Sequence, residues 1–376
     1  MAGLYIHIPF CKIRCAYCDF YSQTRLDYIN QYIQALVWEL GIRKDYADGE
    51  IIETIYFGGG TPSLLRKGDF ELIFNAINRF YTLSSNLEIT LEANPEDISC
   101  EYLSIIRQLP FNRISIGIQS FHDRDLKLLK RRHTAKQALD AVTNCQQSGY
   151  SNLSIDLIYG IPGQTLRKWE ENLDKALRLQ LPHLSAYSLT YEEGTDLFRQ
   201  LQAGTILSVS EENSIRLCNM LIDKLEANGY IYYEISNFCK PGCFSQHNTG
   251  YWTDQKYIGI GAAAHSYNHR SRQWNIASII DYMEGIANGN PNFEIEIIDE
   301  RMRYNDYILT HLRTMWGIPL SAFYDLFGNT RFDYLIRKSK TFLQTGLMEQ
   351  DMAHLKITRQ GLLLADGIIR ELIENG

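Results

Sequence analysis

No stretch of this chain is apolar for long enough to cross a bilayer as a helix. Its start, MAGLYIHIPF, has neither a charged leader region nor a small-residue cleavage site, so no export signal is expected. Basic residues are not in excess. The 37 Lys and Arg face 44 Asp and Glu, a net charge of −7 that leaves no electrostatic footprint for nucleic acid. The GGG turn at 58–60 lacks the Lys-Ser/Thr ending of a P-loop. Eight cysteines would suit a small secreted disulfide scaffold, but 376 residues bury enough core to need none. What remains is a globular chain, 45% hydrophobic and 22% charged. The expected compartment is the cytoplasm, with at most peripheral membrane contact, since no lipidation signal appears.

The most informative stretch is LYIHIPFCKIRCAYCDF. Residues 4–8 form an apolar, β-branched run that reads as a buried strand, and Pro9 ends it. Cys11, Cys15 and Cys18 then fall within eight residues. Thiolates are soft ligands, and three so close together suit iron–sulfur or zinc. Lys12 and Arg14 between them are expected to lower the thiol pKa values. Three ligands leave a metal position open, as reactive sites need.

Downstream, helical and strand periodicities alternate. Helices are expected at 28–44, 67–80, 99–108, 135–147 and 167–179, and strands at 51–57, 87–91, 113–118, 153–158 and 183–189. With the first strand this makes six β/α units and a parallel sheet covered by helices. The cysteines, GGGTP, EANPE, IQS and YGIPG each follow a separate expected strand, and parallel barrels build sites from those carboxyl ends. A further helix (211–228) and a strand (230–235) follow, then a loop-rich stretch from 239 to 267. The expected boundary lies near 295, after NGNPN. Residues 1–295 then form the barrel, and 296–376 a small, mostly helical or winged-helix-like domain with a hairpin at LMEQDMAHLKIT. It reads as a cap on the barrel.

The spacing C-x3-C-x2-C with Tyr17 before the last cysteine resembles the cluster loop of the radical S-adenosylmethionine (SAM) superfamily. That resemblance implies a partial (βα)6 barrel and one [4Fe–4S] cluster held by Cys11, Cys15 and Cys18, with SAM on the fourth iron. Gly58, Gly59, Gly60 and Thr61 would lie at the SAM amino group. Tyr5 would lie against SAM, while Tyr17, Gln119, Arg131 (or its neighbour Arg132) and Asp156 would line SAM or a second SAM-like ligand. Glu92 also stands at a strand end, where a carboxylate suits a ribose diol or an ammonium; an arginine there suits the methionine carboxylate.

Over nearly the whole length the motifs LYIHIPFC, YFGGGTPS, EANPE, RISIGIQSF, LLKRRHTA, IDLIYGIPGQT and LSAYSLTYEEGT resemble the oxygen-independent coproporphyrinogen III oxidase-like subfamily. Its true oxidases carry a fourth cysteine two positions after the third, where this chain has Phe20, and a longer segment before the first strand. Both departures are similar to the heme-chaperone branch, HemW, as is the segment His247-Asn248-Thr249-Gly250-Tyr251-Trp252. The implied cargo is heme, passed to acceptor hemoproteins, respiratory ones first, with a flavodoxin-like electron donor for the cluster. His247 is the candidate axial ligand, since imidazole serves heme iron and Tyr251 and Trp252 suit a flat macrocycle. Cys239, Cys243 and His247 fall four apart, but the family requires no metal there. His265, after a Gly/Ala run, reads as a pocket residue rather than a ligand.

Overall fold

The computed structural model describes residues 1–374. Strand β1 (Ala2–Ile8) begins a parallel run with β2 (Ile52–Gly59), β3 (Leu83–Ala93), β4 (Arg113–Gln119), β5 (Leu153–Tyr159) and β6 (His183–Ser188), each beside the next. Between them run α1 (Ile29–Ile42), α2 (Lys67–Phe80), α3 (Cys100–Ile106), the short α4 (Asp123–Leu128), α5 (Ala135–Gln147) and α6 (Leu166–Arg178). Apolar residues at helical spacing drive this packing. In α1, Tyr32, Ile33, Leu36 and Leu40 are buried, and in α2 Phe70, Ile73, Phe74 and Ile77 are. β1 and β2 are buried along nearly their whole length, as strands covered on both faces should be. Several helices open on a side-chain cap, such as Thr134 and Gln137 in a reciprocal box at α5.

Past β6, α7 (Asp196–Gln202) and α8 (Glu211–Ala227) lead to β7 (Ile231–Glu234) and β8 (Asn237–Cys239), antiparallel strands added at the β6 edge. The stretch expected to be loop-rich is instead ordered. It forms α9 (Gln246–Trp252), β9 (Lys256–Ile260), β10 (His265–Tyr267) and β11 (Ser271–Asn275), followed by α10 (Ile279–Ala287) and β12 (Phe293–Ile297). β9 pairs in parallel with β1, and β10 to β12 continue antiparallel, giving one twelve-stranded sheet ordered β12-β11-β10-β9-β1-β2-β3-β4-β5-β6-β8-β7. These strands are three to five residues long and Gly259 interrupts β9, so no alternation is long enough to read.

The main sheet ends at Ile297. A separate apolar cluster, including Tyr304, Phe323, Leu335 and Ile369, gathers α11 (Glu300–His311), α12 (Leu320–Gln344) and α13 (Ala365–Leu372). α12 is two helices joined at Gly328, whose φ of +73° breaks the helix. The hairpin at 348–357 forms as β14 (Met348–Gln350) and β15 (His354–Ile357), with β13 (Ile318–Pro319) as a third strand. Among the described residues no helix is long and apolar enough to cross a membrane.

Candidate functional site

All six parallel strands deliver residues to one place, β6 through Tyr187 and Ser188. A cavity of about 500 Å³ opens at their carboxyl ends, lined by the cysteine loop, Gly59 to Pro62, Glu92 to Asn94, Gln119, Arg131 and Asp156. Cys11, Cys15 and Cys18 are free thiols, each half-buried on its rim. Thr61 Oγ1 donates to Cys11 Sγ at 3.5 Å, and Arg131 Nη1 donates to Cys15 Sγ at 3.4 Å. Among the described residues no three His, Cys, Asp or Glu side chains converge on a single ion. A [4Fe–4S] cluster asks for something different, one thiolate for each of three irons. Three thiols around one rim, with hydrogen-bond donors turned toward two of them, fit that demand.

One expectation about the thiols does not hold. Burial pushes Cys11 upward and Cys18 to about 11, and neither Lys12 nor Arg14 counters it. Lys12 is occupied by Asp97 at 2.8 Å. The cation that favours the Cys11 thiolate is Arg131, 120 residues away in sequence and brought in by the loop after α4.

Arg131 and Arg132 both line the cavity but are held differently. Its Nη2 donates to Gly117 O at 2.7 Å and to Asn94 Oδ1, whereas Arg132 turns to Glu96 at 3.7 Å. Asn94 in turn donates to Thr61 Oγ1 at 3.1 Å, so a chain of hydrogen bonds runs from Arg131 through Asn94 and Thr61 to Cys11. Asn94 lies inside EANPE, and its place directly after a strand and before a proline was the signal for it. Gln119 holds φ +68° at the end of β4, a conformation worth about 1–3 kcal/mol of strain for a residue other than glycine. Asp156 accepts from Ser115 Oγ at 3.3 Å, and Tyr17 completes the wall. Gly60 packs on β1, its N–H donating to Ile8 O at 2.9 Å, and a Cβ there would sit 2.7 Å from that oxygen.

Tyr5, Gly58 and His247 do not line this cavity; they lie deeper in the barrel. Gly58 packs on Tyr56 and Glu92, which a Cβ would approach to 2.9 and 3.1 Å. Tyr5 OH donates to His7 Nδ1 at 3.0 Å, and its ring lies 6.1 Å from Tyr56 and 6.4 Å from His247. His247 is buried on α9, bonded through Nδ1 to Thr54 Oγ1 at 2.7 Å and through Nε2 to Tyr251 OH at 2.8 Å. Burial lowers it to about 3, so it stands neutral with both nitrogens engaged. Arg113, missed in the sequence because it opens a strand, is 1% exposed beneath the site. Its Nη2 faces His183 at 3.4 Å, while its Nε and Nη1 have no partner.

Glu92 links this floor to the cavity. Burial pushes it up to about 7, against the Tyr56 hydroxyl that donates to it at 2.7 Å. An acid whose folded pKa is raised keeps its proton in the fold after the unfolded chain has lost it. Between its ordinary 4.5 and 7, stability therefore falls as pH rises. The SAM-free wild type should lose about 3 kcal/mol more than Glu92→Gln across that window. Urea unfolding at a series of pH values reads this, and parallel pH profiles would show that Glu92 ionises like an exposed carboxylate.

With the geometry in place, comparisons with known proteins agree. The radical SAM superfamily model matches residues 5–176, and the HemN C-terminal domain model matches 298–364. The heme chaperone HemW of Bacillus subtilis is 33% identical over 371 residues, covering 98% of both chains. HemW of Mycobacterium tuberculosis is 32% identical over 99% of this chain and 94% of its own. The mitochondrial radical S-adenosyl methionine domain-containing protein 1 of Bos taurus is 30% identical over 99% and 87%. The fold overlays on coproporphyrinogen III oxidase HemN from Escherichia coli with a TM-score of 0.86 at 22% identity, over 99% of this chain and 90% of that one. A three-cysteine loop at the mouth of a six-unit barrel, a HemN-type C-terminal domain and end-to-end identity with these relatives place the chain in the HemW family of heme chaperones, within the radical SAM superfamily.

Proposed function

We propose that the protein binds heme and hands it to acceptor hemoproteins, respiratory ones foremost, while carrying a SAM-capped [4Fe–4S] cluster on Cys11, Cys15 and Cys18. The observation that carries this reading is the end-to-end relation to heme chaperones, 98% of both chains with the Bacillus protein. When bound, SAM would complete the fourth iron, and the reduced cluster would supply it with an electron. The residues' part is to hold and orient. Arg131, Asn94 and Thr61 fix the cysteine loop, while Gly59 and Gly60 admit ligand to the backbone. Asp156, Gln119 and Tyr17 wall the cavity. Phe20 and Ile13, 63% and 50% exposed at the mouth of the cavity, offer an electron donor such as a flavodoxin an apolar landing beside the cluster.

Coproporphyrinogen oxidation is the competing reading, supported by the shared fold. Against it stands Phe20, in the position where oxidases carry another cysteine. The two separate in one experiment on anaerobically reconstituted protein. Saturable binding of about one hemin per chain without coproporphyrinogen III turnover is the expected result. Turnover with SAM cleavage and no saturable hemin binding would hand the protein to the oxidases.

A further inference from the structure

The extension β9–β12 has no part in the SAM cavity, yet its inner face carries an unusual row of side chains. Cross-strand registers align Tyr5 of β1 with Gly259 of β9, His265 of β10 with Trp274 of β11, and Trp274 with Glu294 of β12. The pairing Tyr267↔Tyr257 sets Gly259 opposite His265, and a Cβ on Gly259 would fall 2.1 Å from the His265 carbonyl oxygen. Side chains in such a row share a face. Tyr5, with its ring against Tyr56 and His247, marks that face as the barrel's inner side. The opposite face is already filled, since Gln273 and Asn275 reach Arg43 just past the end of α1. The His265 backbone fills the place a Gly259 side chain would take, and the imidazole itself stands at the exposed end of this row.

His265 is available in a way its counterparts are not. Of the nine histidines, seven use a ring nitrogen in a hydrogen bond, and His354 lies 3.7 Å from the Asp351 carboxylate. Among the described residues His265 has no such partner, and it is exposed. Its ring stacks on Trp274 at 5.9 Å and 23°, which braces the imidazole from one side. Partial burial lowers its pKa, so the neutral, ligating form prevails at neutral pH. Ile276, two residues on from Trp274 and 37% exposed, extends the apolar surface toward the end of the cysteine loop. There the Tyr21 hydroxyl accepts from the Ile279 N–H.

We propose that His265 supplies the imidazole ligand to heme iron, with the macrocycle lying over the inner face of β9–β11 against Trp274. This rests on the heme-chaperone reading and names its ligand. An exposed imidazole with no hydrogen-bond partner, an aromatic brace and the apolar surface of Ile276 nearby suit a flat iron macrocycle. His247 offers none of these without first breaking its bond to Tyr251 or Thr54.

The test is a hemin titration of full-length, cluster-reconstituted protein, followed by absorbance and electron paramagnetic resonance. His265→Ala should shift the Soret band and weaken binding by at least about tenfold. Imidazole added to His265→Gly should restore the wild-type spectrum, which a merely structural role would not allow. His354→Ala should match the wild type, and iron content reports that each variant retains its cluster. Wild-type spectrum and affinity in His265→Ala would overturn the assignment and leave the heme-chaperone reading standing. No saturable hemin binding by the wild type would overturn both.

Discussion

Cys15→Ala should abolish cluster assembly, taking iron and acid-labile sulfide from about four per chain to near zero, with loss of absorbance around 400 nm. The expectation follows from where the other thiols lie. Cys145 and Cys239 are sealed in the core, Cys218 is half-buried on α8, and Cys100 and Cys243 lie at the start of α3 and beyond β8; none of the five lines the cavity, so none can stand in. Arg131 loses one acceptor but keeps Asn94 and Gly117, which should hold the loop and the fold. Alanine is the right replacement, because a serine oxygen can itself ligate iron. Iron and sulfide analysis after anaerobic reconstitution reads the result. Retention of about four irons would mean that these cysteines are not the ligands.

The second large effect belongs to Gly59→Ala. Gly59 holds φ +103°, where an L side chain is strained by about 1–3 kcal/mol. A Cβ would also lie 2.5 Å from the His7 ring. That ring cannot swing aside cheaply. Its Nδ1 accepts from Tyr5 OH at 3.0 Å, and its Nε2 donates to Tyr21 O at 3.1 Å. Overpacking adds roughly 1–3 kcal/mol, so denaturant unfolding should show a loss of about 2–6 kcal/mol, with weakened SAM binding. Gly68→Ala is the control. It sits in the first turn of α2 with nothing within 4 Å of its Cβ and should be neutral or slightly stabilising. Equal stability of Gly59→Ala and wild type would show that the turn adapts and that its conformation is not required.

Much of this architecture is legible in the sequence because the six parallel strands are long enough for their burial pattern to show. Gly and Pro also punctuate their carboxyl ends. The cysteines, GGGTP, EANPE and the ends of β4 and β5 converge for that reason. What escaped is set by long-range partners. β9 to β11 are recognisable only through pairing with β1 and one another, and α4 and α7, six and seven residues long, carry too few turns for a period. The cation beside Cys11 and Cys15 could not be read from Lys12 and Arg14, because Asp97 claims Lys12 and the fold brings in Arg131 instead. His247 illustrates the same limit. Its motif is visible, but Thr54 on β2 and Tyr251 one helical turn along decide that its nitrogens are engaged. His265 looks featureless in GIGAAAHSY until the sheet sets Trp274 beside it.

The central claim, that this protein delivers heme, is tested most directly by handover. Protein loaded with about one hemin and freed of excess is mixed with an apo-hemoprotein of distinct Soret maximum, and the two are separated at intervals. The account predicts that heme appears on the acceptor faster from the loaded protein than it escapes to a non-specific scavenger such as albumin. Transfer no faster than this passive loss, at equal heme, would contradict it.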